Sequence, residues 1–280
     1  MFGFFRKKKP AGEMSFLGHV EELRWHLVRS AAVIMTLAGI AFFNKDILFG
    51  QIVMGPSKPA FATYQALCKL SQTWGMGDAL CFTDFGFSFR FGTMTEPFTM
   101  HMWAAFVAGL VAGFPYLLWE LWRFVRPALK QKEMKAARGF ILYASALFIS
   151  GAIFSYYIVA PMAIYFLGNY QLDPNIKPDF TIGSYVSLLT TLVLLMGIVF
   201  ELPILVYFLA RFGIMTSGFM RKHRRHAVIV ILILSAVITP TTDVLTQMLV
   251  AFPLWVLWEA SVLVAIRVEK KRAADDAKRG

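Results

Sequence analysis

Charged residues are scarce in this sequence, and the motifs of several enzyme classes are missing from it. Asp, Glu, Lys and Arg make up 16% of the 280 residues, against roughly 25% in an average soluble domain. No G-x-x-x-x-G-K-[ST] loop for ATP phosphates occurs, and neither H-E-x-x-H, C-x-x-C nor G-x-S-x-G appears. These absences exclude a typical soluble globule and argue against an ATP-driven pump or a familiar hydrolase. We expect no enzyme activity, no cofactor and no bound metal.

Long apolar stretches are the main positive feature of the chain. Hydrophobic residues make up 58% of it, including 27 Phe and 7 Trp. A helix of about 20 apolar residues crosses roughly 30 Å of hydrocarbon, and six stretches approach or exceed that length. They lie at residues 27–43, 98–122, 140–165, 185–210, 227–239 and 248–266. The pattern predicts an all-α polytopic membrane protein with six transmembrane helices.

The fifth and sixth stretches are the weakest of the six. Residues 227–239 end before Pro240 and would form only about 20 Å of helix. The sixth stretch carries Pro253 and Glu259. A buried or re-entrant hairpin is therefore an alternative interpretation of this pair. We favour two short spans, because local bilayer thinning absorbs such a mismatch at modest cost.

Lys and Arg are divided unequally between the two sides of the predicted membrane. Six crossings place both termini on one side, and that side holds 23 of the 28 basic residues. The other side holds Lys45, Lys58, Lys69, Arg90 and Lys177. The positive-inside rule therefore predicts that both termini are cytoplasmic. The net charge of +11 is then a topology signal, and we expect no nucleic-acid partner.

The chain is expected to consist of one membrane domain with two cytoplasmic ends. In the basic N-terminal segment, residues 1–26, the apolar spacing from Phe16 onward predicts an interfacial helix. No cleavable signal peptide is recognisable, so the first span would serve as the insertion signal. The six-span domain covers residues 27–266 and includes a long outside loop at about 44–95. The basic tail, residues 267–280, is expected to be disordered.

Two clusters of ionisable residues lie at the predicted cytoplasmic boundary. In the first, His19, Glu22 and His26 share a stripe beside the apolar helix face. In the second, an aromatic-rich segment framed by two prolines is followed by Glu133 among several cations. Ionisable groups within or beside a membrane are candidates for function. A solvated helix face and a carboxylate that merely balances neighbouring lysines are the alternative interpretations.

The sequences of these two clusters resemble patterns of the TatC family, whose members form the polytopic core of the twin-arginine protein translocase. The family's H-L-x-E-L-R-x-R-L pattern appears here as HVEELRWHL at residues 19–27. Its loop pattern F-x-x-P-x-x-x-Y-Q-x-W-x-F-x-x-P-x-L-x-x-x-E is matched at Pro115, Trp122, Phe124, Pro127, Leu129 and Glu133. Further matches, in the same order along the chain, are EPF at 96–98, FELP at 200–203, TPTTD at 239–243 and Gln247. The resemblance therefore extends over all six predicted spans.

The chain departs from the family patterns at three places. His26 replaces the second arginine of the first pattern, and Trp119 and Glu120 replace the Tyr-Gln of the second. Met134 follows Glu133 where an arginine is usual. These differences leave the fold prediction unchanged but bear on how the substrate docks, and whether Glu120 has a partner is left open.

The resemblance implies a glove-shaped, concave bundle of six long, bent helices in the bacterial inner membrane. It also implies that the protein binds twin-arginine signal peptides of folded precursors and assembles with TatA-like and TatB-like single-span subunits into a multimeric complex. Export would be driven by the proton-motive force. Two other functions stay open: a proton-coupled secondary transporter using Glu201 and Glu259, and an intramembrane enzyme for which His101 is the candidate histidine.

The resemblance also implies a site for the arginine pair. A guanidinium group matches a carboxylate with two hydrogen bonds, a geometry that lysine does not reproduce. Two arginines need two acceptors, and Glu22 and Glu133 match the family's cytoplasmic carboxylate positions. The residues expected around the signal peptide are Glu22, Arg24, Phe124, Pro127, Leu129 and Glu133.

A second polar site is expected inside the membrane. Glu201 lies among apolar residues, where an ionised carboxylate facing lipid would cost several kcal/mol. We expect it to face the concave side and to thin the membrane or contact a polar partner helix, with Gln247 and Asp243 as further polar positions. A protonated carboxyl bonded to a carbonyl is the alternative. Structural roles are expected for Pro115, Pro203 and Pro240.

The outside loop contains both cysteines of the chain. Cys68 and Cys81 would lie in an oxidising compartment, so we predict a disulfide between them, with two unpaired buried thiols as the alternative. Phenylalanine then occurs at every second position from 85 to 91. This period of two predicts a strand with one buried aromatic face.

Overall fold

Helices account for almost all of the described chain. The structure, a computed structural model, describes residues 16–78, 81–82, 86–125, 134–170, 173, 178–239 and 244–277. Its α-helices are α1 (Phe16–Phe43), α2 (Ala62–Thr73), α3 (Glu96–Val125), α4 (Met134–Phe154), α5 (Ala160–Asn169), α6 (Ile182–Val199), α7 (Leu202–Arg211), α8 (Ser217–Lys222), α9 (Arg224–Ile238) and α10 (Val244–Ala277). Two short strands, β1 (Ser88–Arg90) and β2 (Asp179–Thr181), pair in parallel. The predicted all-helical class is therefore confirmed apart from this small ribbon.

Five segments of the described chain are long and apolar enough to cross a membrane. They are Glu21–Phe43, Glu96–Phe124, Ile141–Asn169, Ile182–Arg211 and Thr246–Ala274. Each contains or overlaps one of the predicted spans, which supports a multi-pass membrane protein. The remaining predicted span corresponds to α9, whose 15 residues form about 22 Å of helix. The side-chain amide of Gln247 in α10 donates to the carbonyl of Leu232 in α9 at 3.2 Å, so these two helices are joined by a polar contact.

The helices α1 and α3 run antiparallel and approach closely at two glycines. A Cβ atom added at Gly109 would lie 2.6 Å from the backbone nitrogen of Ala38 and 2.7 Å from the carbonyl oxygen of Ile34. One added at Gly113 would lie 3.0 Å from Cγ1 of Ile34. The two residues form a G-x-x-x-G face that lets the backbones approach and maximises van der Waals contact. This contact fixes the register of α1 against α3.

The helix α6 supplies the centre of the apolar core. Val186, Leu192 and Met196 have no exposed surface and belong to the main cluster of buried residues. The indole nitrogen of Trp103 in α3 donates to the hydroxyl of Thr190 in α6 at 3.0 Å. Because a polar atom at membrane depth needs a partner within the protein, this bond helps to fix α3 against α6.

The fourth span is interrupted where the sequence places Glu201 and Pro203. The helix α6 ends at Val199, Phe200 and Glu201 form a turn, and α7 begins at Leu202 with Pro203 in its first turn. Proline has no N–H to continue the ladder of the preceding helix, but it fits the first turn of a new one. By contrast, Pro115 lies inside α3, which continues to Val125. Pro240 lies outside the described residues.

Residues 44–78 of the predicted outside loop fold into a cap that contains α2. The Sγ atoms of Cys68 and Cys81 are bonded in the structure. The hydroxyl of Tyr64, a fully buried residue of α2, lies 2.9 Å from the carbonyl oxygens of Pro56 and Pro161. Burial raises the pKa of Tyr64 above its usual range, so the phenol stays a proton donor. The cap is thereby tied to the third span.

The predicted aromatic strand is only partly present. The strand β1 has three residues, and Phe89 packs against Tyr185 with ring centroids 5.0 Å apart. Phe87 packs against Phe180 at 5.7 Å. Phe91, however, lies after the strand, and 61% of its surface is not covered by this chain, so it does not continue the face that packs against the helices. The reason is that β1 is short, and the alternation of sides ends with it.

Both ends of the chain are more helical than the sequence patterns indicate. The helix α1 is continuous from Phe16 to Phe43, so no turn separates the predicted interfacial helix from the first span. This continuity agrees with the sequence, in which no Gly or Pro occurs from residue 19 to residue 38. The helix α10 continues to Ala277, so the predicted disorder of the tail is wrong for residues up to that point. Glu269 explains part of this order, since its carboxylate accepts from the backbone N–H of Ser217 at 2.7 Å and from the Ser217 hydroxyl at 2.5 Å.

The close approach of α1 and α3 predicts a strong penalty for one methyl group. Gly109→Ala should destabilise the protein by about 1–3 kcal/mol, as overpacking does elsewhere, because backbone atoms cannot move aside as a side chain can. Gly39→Ala is the matched control, since a Cβ at Gly39 meets nothing within 4 Å. The measurement is the fraction of purified protein that stays monodisperse after a series of heating steps. Equal curves for the two variants would contradict the G-x-x-x-G interface.

The disulfide predicts a definite thiol count. Denatured wild-type protein should have no reactive thiol before reduction and two afterwards. Cys68→Ser should have one reactive thiol without reductant, and its outside loop should be cut faster by protease, because a bridge of this span contributes about 3 kcal/mol to order. Two reactive thiols in unreduced wild-type protein would exclude the bridge.

Candidate functional site

The first half of α1 and the last half of α3 meet at a polar cluster. We call this region the α1/α3 end. The register set by Gly109 and Gly113 continues to His26 of α1, which lies opposite Glu120 of α3. The Nδ1 atom of His26 is hydrogen-bonded to Oε2 of Glu120. A contact between residues 94 positions apart in the chain therefore closes this end of the interface.

The carboxylate of Glu120 is almost fully buried and is completely partnered. Its residue is 1% exposed. The Oε1 atom accepts from the hydroxyl of Tyr116 at 2.9 Å and from Nη1 of Arg123 at 3.2 Å, while Oε2 faces His26. A buried carboxylate is tolerated when its oxygens receive such donors. Glu120 thus has a structural environment and no free oxygen for a ligand.

Aromatic rings surround the polar cluster. The guanidinium carbon of Arg123 lies 4.9 Å from the centre of a Trp119 ring, within the range of a cation–π contact. The ring of Tyr116 lies 5.5 Å from that of Trp119, and the ring of His26 lies 6.2 Å from that of Phe124. These contacts hold Arg123 and His26 in place around the carboxylate.

Three of the six residues predicted to bind a signal peptide are described, and two of them are exposed. Glu22 and Arg24 lie on the exposed surface of α1. Glu22 precedes His26 by four residues and therefore shares its side of the helix, about 6 Å further along the axis, whereas Arg24 lies nearly opposite. Phe124 contacts His26. Pro127, Leu129 and Glu133 lie outside the described residues.

The pairing of His26 with Glu120 is the feature that the sequence did not disclose. Both residues are departures from the family patterns, and the structure places them in contact. The sequence signal was a pair of differences from the family patterns: Glu120 stands in place of a glutamine, and His26 stands in place of an arginine. Those two changes could not be joined without the register of α1 against α3.

Glu201 and Gln247, the described members of the predicted intramembrane set, do not hydrogen-bond to each other. The Oε1 atom of Glu201 is buried and, within the described chain, has no hydrogen-bond partner. The predicted neighbour Gln247 instead donates to the carbonyl of Leu232. Asp243 lies outside the described residues. Glu201 therefore has a buried oxygen, Oε1, that receives no hydrogen bond from the described chain.

Glu259 and His101, which the two other functions would use, both contact other side chains. Glu259 pairs with Nη2 of Arg224 at 2.7 Å, so it already has a cationic partner. The ring of His101 stacks on that of Phe42 at 4.3 Å, and its Nε2 atom has no partner among the described residues. Neither arrangement favours a proton-coupled transporter or an intramembrane enzyme.

Sequence comparison shows a match along most of the chain. The family model for the Sec-independent protein translocase protein (TatC) matches residues 18–253. The Sec-independent protein translocase protein TatC of Blattabacterium sp. subsp. Periplaneta americana is 33% identical over 266 residues, which cover 95% of this chain and 100% of that protein. The translocase protein TatCy of Bacillus subtilis is 32% identical over 272 residues, with 96% of each chain covered.

Solved structures show the same fold. A crystal structure described as a twin-arginine translocase receptor, TatC, has a TM-score of 0.65 and 28% identity, and the match covers 89% of this chain and 99% of that one. A second crystal structure of such a receptor, in DDM, has a TM-score of 0.66 and 29% identity, covering 88% and 99%. The agreement therefore extends over nearly the whole length of each solved chain.

Proposed function

This chain belongs to the TatC family of Sec-independent protein translocase proteins, and we propose that it is the subunit that binds twin-arginine signal peptides for the export of folded proteins. Membership places it in twin-arginine translocation as a component of a transport system rather than an enzyme. The finer parts of the function are proposals: the signal-peptide site, the partner subunits and the energy source.

The exposed carboxylate of Glu22 is the observation that carries the proposal. It lies on the side of α1 that turns toward α3, one helical turn before His26. The register of the two helices brings Glu22 level with the end of α3. A second carboxylate, a role that we assign to Glu133, would complete a pair of acceptors for two guanidinium groups. Phe124, Pro127, Leu129 and Arg24 would shape the surroundings of this pair.

The membrane arrangement that we propose has six spans and cytoplasmic termini. The five long helical segments cross fully, and α9 forms the short fifth span beside α10, with thinning of the bilayer around it. The basic residues then lie on the cytoplasmic side of the bacterial inner membrane. The α1/α3 end faces the cytoplasm, where precursor proteins carry their signal peptides.

The partners that we propose are TatA-like and TatB-like single-span subunits in a multimeric complex. Transport uses the proton-motive force, in agreement with a sequence that has no ATP-binding loop. Glu201 is the residue that we assign to contact with a polar partner helix or to local membrane thinning, because its Oε1 atom is buried without a partner in the described chain.

The signal-peptide site predicts separate effects for neighbouring carboxylates. Glu22→Gln and Glu133→Gln should each reduce crosslinking to a twin-arginine signal peptide, because an amide lacks the charge and one of the acceptors of a bidentate pair. Glu21→Gln is the matched control, since Glu21 is also exposed but lies about a quarter turn away on the helix. The peptide control has two lysines in place of the arginines. Unchanged crosslinking in both test variants would overturn the assignment.

The Glu201 assignment predicts a loss of transport without a loss of peptide binding. Glu201→Ala should reduce export and recruitment of the TatA-like subunit, whereas Glu201→Gln, which keeps a polar group of the same size, should retain more of both. Signal-peptide crosslinking to each variant serves as the folding control. Full export and normal recruitment with Glu201→Ala would mean that this carboxyl is only structural.

A further inference from the structure

We propose that His26 and Glu120 form an interhelical clamp that positions Glu22 for the signal peptide. The inference rests on the proposed function for its consequence, but the clamp itself is a property of the bundle. His26 donates from α1 to Oε2 of Glu120 on α3. Glu120 is a positioning residue here, because its carboxylate is buried and its oxygens are occupied by donors from this chain.

Among the described residues, few other contacts hold this part of α1. From Glu22 to Arg29 every residue is exposed except Leu23 and His26, which are half-buried. Trp25, Leu27 and Val28 are each about half exposed or more. The close glycine contacts begin only at the level of Gly113, about 10 Å along α3 from Glu120. The position of this end of α1 therefore depends strongly on one hydrogen-bonded pair.

The clamp is itself held rigidly on the α3 side. Tyr116 and Arg123 donate to Oε1 of Glu120 from the same helix, and Arg123 lies against Trp119. These contacts within α3 hold the carboxylate in place without any contribution from α1. Removal of the His26 donor would leave Oε2 buried without its partner, an arrangement that burial makes unfavourable. The end of α1 would then shift or become mobile.

Glu22 is the functional residue that this shift would move. It lies one turn from His26 on the same side of α1, so a change in the position of His26 is transmitted to it through a single turn of helix. A bidentate carboxylate–guanidinium contact depends on both distance and orientation. The clamp therefore supports the geometry of the signal-peptide site without touching the peptide.

The first experiment measures the clamp without any peptide. Spin labels are attached to Trp25→Cys and Leu121→Cys, two exposed positions on α1 and α3, with the native disulfide left oxidised. The distance distribution should be narrow in the labelled parent. His26→Gln and Glu120→Gln should each broaden or shift it. Tyr116→Phe is the matched control, because it removes a donor to the same carboxylate from within α3 while Arg123 still donates to Oε1 and His26 to Oε2, and it should leave the distance unchanged.

A double variant guards against simple misfolding. His26→Arg combined with Glu120→Gln restores the residue types of the family patterns and keeps a donor facing an acceptor. It should recover a narrow distribution that neither single substitution gives. A parent-like distance in both His26→Gln and Glu120→Gln would overturn the clamp. So would a double variant whose distance distribution is as broad as that of Glu120→Gln alone.

The second experiment measures the consequence for the peptide. His26→Gln should lower crosslinking to a twin-arginine signal peptide by about threefold or more, with recovery in the double variant, since residues that interact show such coupling. Glu22→Gln should lower crosslinking but leave the spin-label distance unchanged. If wild-type protein fails to bind the peptide, the proposed function fails while the distance measurement still decides the clamp. A shifted distance with unchanged peptide crosslinking would overturn the positioning role.

Discussion

The close contact of α1 with α3 at Gly109 is the constraint on which the candidate site depends. Lipid tails are as apolar as leucine, so helices in a membrane gain little from burying apolar surface and rely on close packing and polar contacts. The backbone of Ala38 occupies the space that a Cβ atom at position 109 would need. The two helices can therefore approach this closely only in a register that places a glycine there. That register carries His26 to Glu120, and the helical repeat then carries Glu22 to the end of α3. A packing contact near the middle of the Glu96–Phe124 segment thus determines the geometry of the candidate site about three turns away.

The features that could be predicted from sequence are those that depend on neighbouring residues. Span length and hydropathy are local properties, so all five long spans were found, and the break before Pro203 follows from a missing backbone donor. The Gly109–Ala38 and His26–Glu120 contacts were missed because each joins residues far apart in the chain. Two changes at separate motifs gave no indication that they compensate each other until the helix register brought them together. The Cys68–Cys81 disulfide could be predicted because only two cysteines occur, which leaves a single pairing.

The differences between expectation and structure have a common physical cause. Patterns of composition describe what a segment does alone, whereas neighbouring elements decide its final state. The tail was expected to be disordered from its charge, yet Glu269 bonds to Ser217 and fixes the extension of α10. The alternating phenylalanines were expected to form a longer strand, yet β1 has a partner only opposite Ser88–Arg90. In both cases a contact with a distant segment set the length of the element.

Two carboxylates of the described chain differ in how far the chain itself satisfies their oxygen atoms. Glu120 is almost fully buried and receives donors from His26, Tyr116 and Arg123, so the chain itself completes its environment. Glu201 is placed at a helix break, and its Oε1 atom has no partner among the described residues. An unsatisfied polar atom costs free energy in a water-poor setting, and that cost falls if a donor arrives from outside the chain. The first carboxylate is therefore suited to fixing geometry, and the second fits the partner contact or membrane thinning that we propose for it.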